Sequence, residues 1–174
     1  MSRPKTAPTG RESPFGVDEI IVSKTDLKGR ITYANDVFLR VSHYREAEVI
    51  GQPHNLIRHP EMPHSIFKLL WETIQSGEEI FAYVLNMARN GDHYWVFAHV
   101  TPSRDAAGQI TGYHSNRRKP DPGQIARIEP LYRELRQAEQ AEQRIKDGMA
   151  AAMSHLQHRL KAQEMSYDRF VFSV

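Results

Sequence analysis

Residues 51–63 constrain this chain more than any other stretch. Gly51-Gln52-Pro53-His54-Asn55-Leu56-Ile57-Arg58-His59-Pro60-Glu61-Met62-Pro63 sets three prolines among two histidines, an arginine and a glutamate. Each proline fixes its own φ and turns the preceding residue away from the α region. The stretch therefore reads as a stiff elbow that holds polar heads at set positions. Past Pro63, the residues Ile66, Leu69, Leu70 and Ile74 recur at helical spacing, which predicts an amphipathic helix over about 62–75, closed by Ser76-Gly77. Rigid polar groups at the mouth of an apolar helix face suit a buried, charged small molecule.

Strand signals lie on either side of this elbow. Residues 20–22 and 31–34 flank a turn that ends in Gly29, a hairpin pattern. Asn35-Asp36 is placed to cap a short helix with Phe38, Val41 and Tyr44 on its apolar side, and residues 47–50 suggest another helical turn. Three strands follow the long helix, over about 80–88, 93–103 and 110–116. The first two join through Arg89-Asn90-Gly91-Asp92, which predicts a type I′ turn. Strands at both ends with helices between them give an α+β fold: one antiparallel sheet with helices on one face. That domain is expected over 18–119, behind a mobile Pro-, Gly- and Ser-containing arm at 1–17.

Pro120-Asp121-Pro122-Gly123 reads as a linker, and from residue 124 to 174 the composition turns helical. Ile128, Leu131, Leu135, Ala138, Ile145, Met149, Ala152 and Leu156 step by threes and fours, with Glu142 and Arg159 as polar breaks. Two structures satisfy that pattern: a helix folded back on its own domain, or a coiled coil between chains. Persistence over four heptads favours the coiled coil, and with it a homodimer. Phe170-Val171-Phe172 adds an apolar patch without an evident partner.

Several function classes drop out. A net charge of +2, from 23 basic and 21 acidic residues, does not advertise nucleic acid. The absence of cysteine removes disulfides, thiolate metal sites and cysteine nucleophiles. No apolar run approaches the roughly 20 residues of a membrane span, and no secretion signal opens the chain, so a cytoplasmic location is expected. Gly-rich phosphate loops, nucleophile elbows and HExxH are missing, which speaks against an enzyme. His54, His59 and His64 recur every five residues and share no helical face, a poor metal site, although one of them could serve as an axial haem ligand.

The remaining polar residues carry two readings each. Arg58 can pair bidentately with a phosphate or carboxylate, or with Glu61 or Glu72. His59 can donate to a ligand or pack under Pro60. Trp71 can stack on a ring system or fill core. Asn35 can cap a helix or present its amide to a heterocycle edge. Asn86, on an apolar strand, needs a polar partner, and a ligand edge would supply one.

Residues 18–133 resemble a PAS domain, and more narrowly the sensor domain of bacterial aerotaxis receptors. The residues that carry this are Thr25-Asp26-Leu27, Ile31-Thr32-Tyr33-Ala34-Asn35-Asp36, Gly51-Gln52-Pro53-His54-Asn55 and Arg58-His59-Pro60-Glu61-Met62-Pro63. Phe67, Trp71, Asn90-Gly91-Asp92-His93-Tyr94-Trp95-Val96, Gly112-Tyr113 and Glu129-Pro130-Leu131-Tyr132 complete the set. The resemblance implies a PAS fold and non-covalent FAD between helices and sheet. It also implies a redox or energy signal passed to a chemotaxis partner. It places Asn35, Arg58, His59, Glu61, Phe67, Trp71 and Asn86 around the cofactor. Glu61 stands where the family has aspartate, Ile80 where many relatives have tryptophan, and Met87-Ala88 where basic residues are common. The alternative is a PAS interaction and dimerisation module whose pocket is empty or holds haem or a small metabolite.

Overall fold

Alternation along the long strands decides which face of the sheet is inside. In β4 (His93–Arg104), Tyr94, Val96, Ala98 and Val100 are buried and their neighbours are less so. The register with β3 (Ile80–Met87) sets Val84 against Val96 and Ala82 against Ala98, so the inward residues of both strands meet. The computed structural model describes residues 6–174 and shows five antiparallel strands in the order β2-β1-β5-β4-β3. The others are β1 (Ile21–Thr25), β2 (Ile31–Ala34) and β5 (Ile110–Arg118). The expected α+β sheet is present. The 88–92 turn departs from the type I′ expectation: Gly91 takes a φ of 93° but Asn90 stays in the ordinary region. The Gly91 N–H donates to Ala88 O (3.0 Å) and the Ala88 N–H to Asp92 O (2.7 Å), a three-residue loop in which only the last position needs positive φ.

Helices α1 (Asp36–Ser42), α2 (Glu46–Val49) and α3 (His64–Gln75), with a 3₁₀ turn at His54–Ile57, cover the inner face. The elbow is tied down at both ends. The Gly51 N–H donates to Ile31 O (2.7 Å) and the His54 N–H to Gly29 O (2.9 Å), which anchors it to the first hairpin. Farther on it meets the free edge of β3: Leu85 O accepts from the His59 N–H (3.4 Å), and the Leu85 N–H donates to Met62 Sδ (3.4 Å). An edge strand left bare would invite pairing with another chain, so the elbow also blocks that route.

Two departures from the sequence reading concern the chain ends. The 1–17 arm is expected to be mobile, yet residues 9–15 of it lie along the start of β4. Ser13 N donates to His93 O (2.8 Å), His93 N donates to Arg11 O (2.8 Å), and Phe15 is buried edge-on to Tyr94. Residues 1–5 lie outside the described part. The tail is the second. The linker shortens, because α4 (Pro122–Gln140) already starts at Pro122. A long C-terminal helix is therefore present, but the expected seam is broken at 141–144. The chain then folds back as α5 (Ile145–Ala162) against α4. Ile128, Leu131, Leu135, Ala152 and Leu156, read as a coiled-coil seam between chains, are all buried inside this one. Gly148 explains the close hairpin: a Cβ there would stand 2.3 Å from Glu139 O. A final helix, α6 (Tyr167–Ser173), gives the apolar patch its partner, since the Phe172 ring lies 4.7 Å from Phe81 and 5.9 Å from Phe97 on the outer face of the sheet.

Candidate ligand-binding site

A cavity of about 630 Å³ opens between α3, the 3₁₀ turn and the inner face of the sheet. That size suits a small molecule or cofactor. Its depth is lined by buried Ser23, Val84, Asn86, Ala98, Tyr113, Ser115 and Arg117, and its mouth by exposed Lys28, Asn55, His64 and Ile145. Helix α3 shapes one wall because its two apolar spacings diverge. Ile66 drives into the core, Leu70 and Ile74 are buried against the cavity's inner side, and the half-buried Phe67 and Trp71 flank it. Trp71 packs edge-on to Tyr113 at 5.5 Å, over Gly29. Gly29 has a φ of 74°, and a Cβ on it would come within 2.8 Å of the indole. The turn between β1 and β2 thus needs glycine twice over, for backbone and for space.

Charge distinguishes the lining. Among the described residues, four cationic side chains face the cavity, Lys28, Arg58, Lys68 and Arg117, and no aspartate or glutamate does. Lys68 is paired with Glu72 at the rim, and the Arg58 guanidinium lies 4.1 Å over the Phe67 ring. On the floor, Arg117 Nη2 donates to Ser23 Oγ and to His54 Nε2, both at 2.6 Å. Burial, with the Arg117 charge beside it, pushes the His54 pKa down to about 3. The ring is therefore neutral and accepts at Nε2. Burial also lowers Arg117, to about 10, which leaves it charged at neutral pH. Three polar atoms on the same lining residues are buried without a hydrogen-bond partner: Thr25 Oγ1, Asn86 Nδ2 and Arg117 Nη1. Native folds rarely leave such groups unanswered, so the cavity offers polar groups to which a ligand could bond.

Of the residues singled out from the sequence, Arg58, Phe67, Trp71 and Asn86 are brought together around this cavity. Asn35, His59 and Glu61 are not among its lining. Asn35 Oδ1 accepts from the N–H groups of Phe38 (2.9 Å) and Val22 (3.0 Å), and its Nδ2 donates to Ile20 O (2.8 Å). Its amide is spent on capping α1 and joining it to β1. His59 is buried, and its Nδ1 accepts from the Glu61 N–H (3.1 Å). Glu61 is exposed, 3.9 Å from Arg136. The sequence reading missed Ser23, Thr25, Arg117 and the role of His54. A signal was available for Arg117: period-two alternation from an inward Tyr113 places Ser115 and Arg117 on the same face of β5.

Residues 31–117 match a family described as the PAS fold. The chain belongs to the PAS family. Its PAS domain is similar to the aerotaxis receptor of Escherichia coli (strain K12), at 44% identity over 127 residues, which is 73% of this chain and 25% of that receptor. This bears out the expected kinship with aerotaxis receptors. The nitrogen fixation regulatory protein of Klebsiella pneumoniae is 30% identical over 94 residues, 54% of this chain and 19% of that protein. The chain thus spans about a quarter or less of these relatives. Among solved structures, the light state of the blue-light photoreceptor Aureochrome1 LOV aligns with a TM-score of 0.57 at 21% identity, over 66% of this chain and 90% of that one. A light-oxygen-voltage domain studied with a flavin analogue gives 0.57 at 20% identity, over 66% and 86%. At such identities the likeness speaks for the fold.

Proposed function

We propose that this PAS domain holds FAD non-covalently in its cavity and reports redox state to a chemotaxis or other signalling partner in the cytoplasm. The observation that supports the reading is a set of four cations lining an apolar chamber, with three buried polar atoms lacking partners and, among the described residues, no carboxylate in the lining. A flavin dinucleotide answers each part. Its ring system needs apolar walls and hydrogen-bonding groups along one edge, and its pyrophosphate needs cations near the mouth. Val84, Ala98, Val100, Leu70 and Trp71 supply the walls, Asn86 an edge donor, and Arg58 with Lys28 the charge. When bound, the flavin supplies electron acceptance coupled to proton uptake.

The protein's part is to hold, shield and respond. An amide such as that of Asn86 can offer either its donor or its acceptor, so a change at a ligand edge can turn it. Asn86 is also bridged to Arg58 through the backbone, which links the cavity to the elbow. Ile145 and Met149 bring the start of α5 to the same cavity. Rearrangement there reaches the tail, the segment from which a partner would read the state. Haem is a weaker fit, because His54 Nε2 is occupied by Arg117.

The purified full chain tests this directly. Expected are a yellow protein with the oxidised-flavin spectrum and FAD as the compound released on denaturation. A released mononucleotide would correct the cofactor, and a Soret band would replace it by haem. A colourless chain that takes up no added FAD would overturn the reading.

A further inference from the structure

The floor of the cavity holds a positive charge that the chain itself does not answer. Arg117 is 3% exposed. The groups facing it are Ser23 from β1, His54 from the 3₁₀ turn, Tyr94 from β4 and the Phe38 ring from α1, 5.7 Å away. None is anionic at neutral pH: His54 is held neutral, and burial pushes the Tyr94 hydroxyl well above its usual range. Among the described residues no carboxylate pairs with the guanidinium. Nη2 is spent on Ser23 and His54, whereas the buried Nη1 has no partner. A fold that buries a charge normally pairs it. Here the missing partner can arrive only from the cavity that Arg117 itself lines.

We propose that Arg117 is the counter-ion for the negative charge that a flavin ring acquires on reduction, so that the reduced cofactor stays anionic. This rests on the flavin reading above. Two electrons from an external one-electron reductant and one proton leave the ring with a single negative charge, and a second proton would neutralise it. A fixed guanidinium in a poorly hydrated chamber favours the anion. The second proton then stays in solution, and the potential rises because the reduced form is stabilised. His54 and Ser23 act on the flavin only through Arg117, as positioning residues that hold one arm of the fork and leave the other free.

The test uses the full chain loaded with FAD and titrated with dithionite against a reference dye. It is run across mildly acidic pH, where free reduced flavin binds both protons. Wild type is expected to take up one proton per electron pair. Arg117→Gln is expected to take up two, and at a fixed ambient potential its ratio of reduced to oxidised flavin falls by at least about tenfold. Arg117→Lys, which keeps the charge, is expected to stay with wild type in proton count. Two protons per electron pair in wild type overturn the proposal even where Arg117→Gln does not fold. An Arg117→Gln chain with wild-type potential and proton count overturns it as well. In both cases the flavin reading stands, whereas a wild-type chain that binds no flavin sinks the two together.

Discussion

In the proposed reading, single side chains divide the cavity between holding a ligand and tuning it. Trp71→Ala removes a wall from α3 at a half-buried position, and Arg58→Ala removes a cation at the rim. Both variants are expected to fold and to lose FAD affinity by about tenfold or more, given roughly 1.5–3 kcal/mol for a buried aromatic or a charge-assisted contact. Equilibrium dialysis with circular dichroism separates binding from folding, and full retention of flavin by both would displace the site. His54 makes a different prediction. Its folded pKa is about 3, against about 6.5 in an unfolded chain. Below about pH 6.5 the unfolded state takes up a proton that the folded state refuses, so stability is full above that value and falls as the pH drops toward 3. Urea midpoints should decline from neutral to mildly acid pH in wild type and less steeply in His54→Gln, and parallel slopes would contradict the assignment. Legibility at this scale followed local pattern. Helical spacing made the α3 face readable, and the family resemblance placed Phe67 and Trp71 at the site. Asn35 belonged to its cap, the local alternative that short amides take. Arg117 sits on a strand whose facing partners, Ser23 and His54, come from 94 and 63 residues away in sequence, a meeting that no local pattern encodes.

Among the elements, α3 depends on a residue from far along the chain. Its N-cap is Pro63, which offers no side-chain acceptor, and the first N–H groups of the helix are answered instead by Glu139 of α4. Glu139 Oε1 accepts from the Ser65 N–H (2.7 Å), and Oε2 accepts from the His64 N–H (3.0 Å). Burial would raise this carboxyl, but the hydrogen bonds from Ser65 and His64 outweigh it and hold it below the usual range. A carboxylate at a helix N-terminus is worth about 1–2 kcal/mol, and for a chain of this length each kcal/mol moves Tm by roughly 2–4 °C. Glu139→Ala is therefore expected to lower Tm by a few degrees at neutral pH. The stabilisation is present above the ordinary carboxylate pKa and is lost as the pH falls through the depressed folded value, so wild type and variant should converge in acid. Differential scanning calorimetry at two pH values checks this, and a pH-independent gap would mean that lost packing outweighs the cap. The existence of α3, α4 and the strands was legible from periodicity. The break at 141–144 was not, because the spacing resumes in register at Ile145 after a single polar position, Glu142. Glu142, a polar break within that segment, and Gly148 were the visible hints, and the meaning of Gly148 required knowing that Glu139 O passes 2.3 Å from where its Cβ would be.

At the scale of the whole molecule, sensor and tail form one packed unit, and this reverses what removing the tail should do. If the helices after Gly123 joined chains through a coiled coil, a chain cut there would lose mass in light scattering and keep its stability. In this fold the same cut strips cover from the sheet. The Tyr132 hydroxyl donates to Tyr83 O (2.5 Å) on the edge of β3, and Phe172 covers Phe81 and Phe97. Ile128, Leu131, Leu135, Leu156 and Val171 are all buried, at roughly 1.5–3 kcal/mol for each aliphatic side chain before the entropy of ordering the tail is set against it. A net loss of only about 3 kcal/mol would lower Tm by roughly 6–12 °C, a large share of the 5–15 kcal/mol by which domains typically hold together. The bared strand edge and aromatic face would also invite association. The chain cut after Gly123 is expected to melt earlier, to bind more of a hydrophobic dye, and to show a light-scattering mass no lower than that of the full chain. A well-folded, unaltered Tm with a halved mass would instead restore the coiled coil and leave α5 free of the cavity. The proposed route from ligand to tail depends on that difference, because Ile145 and Met149 line the chamber only while α5 is docked at its mouth.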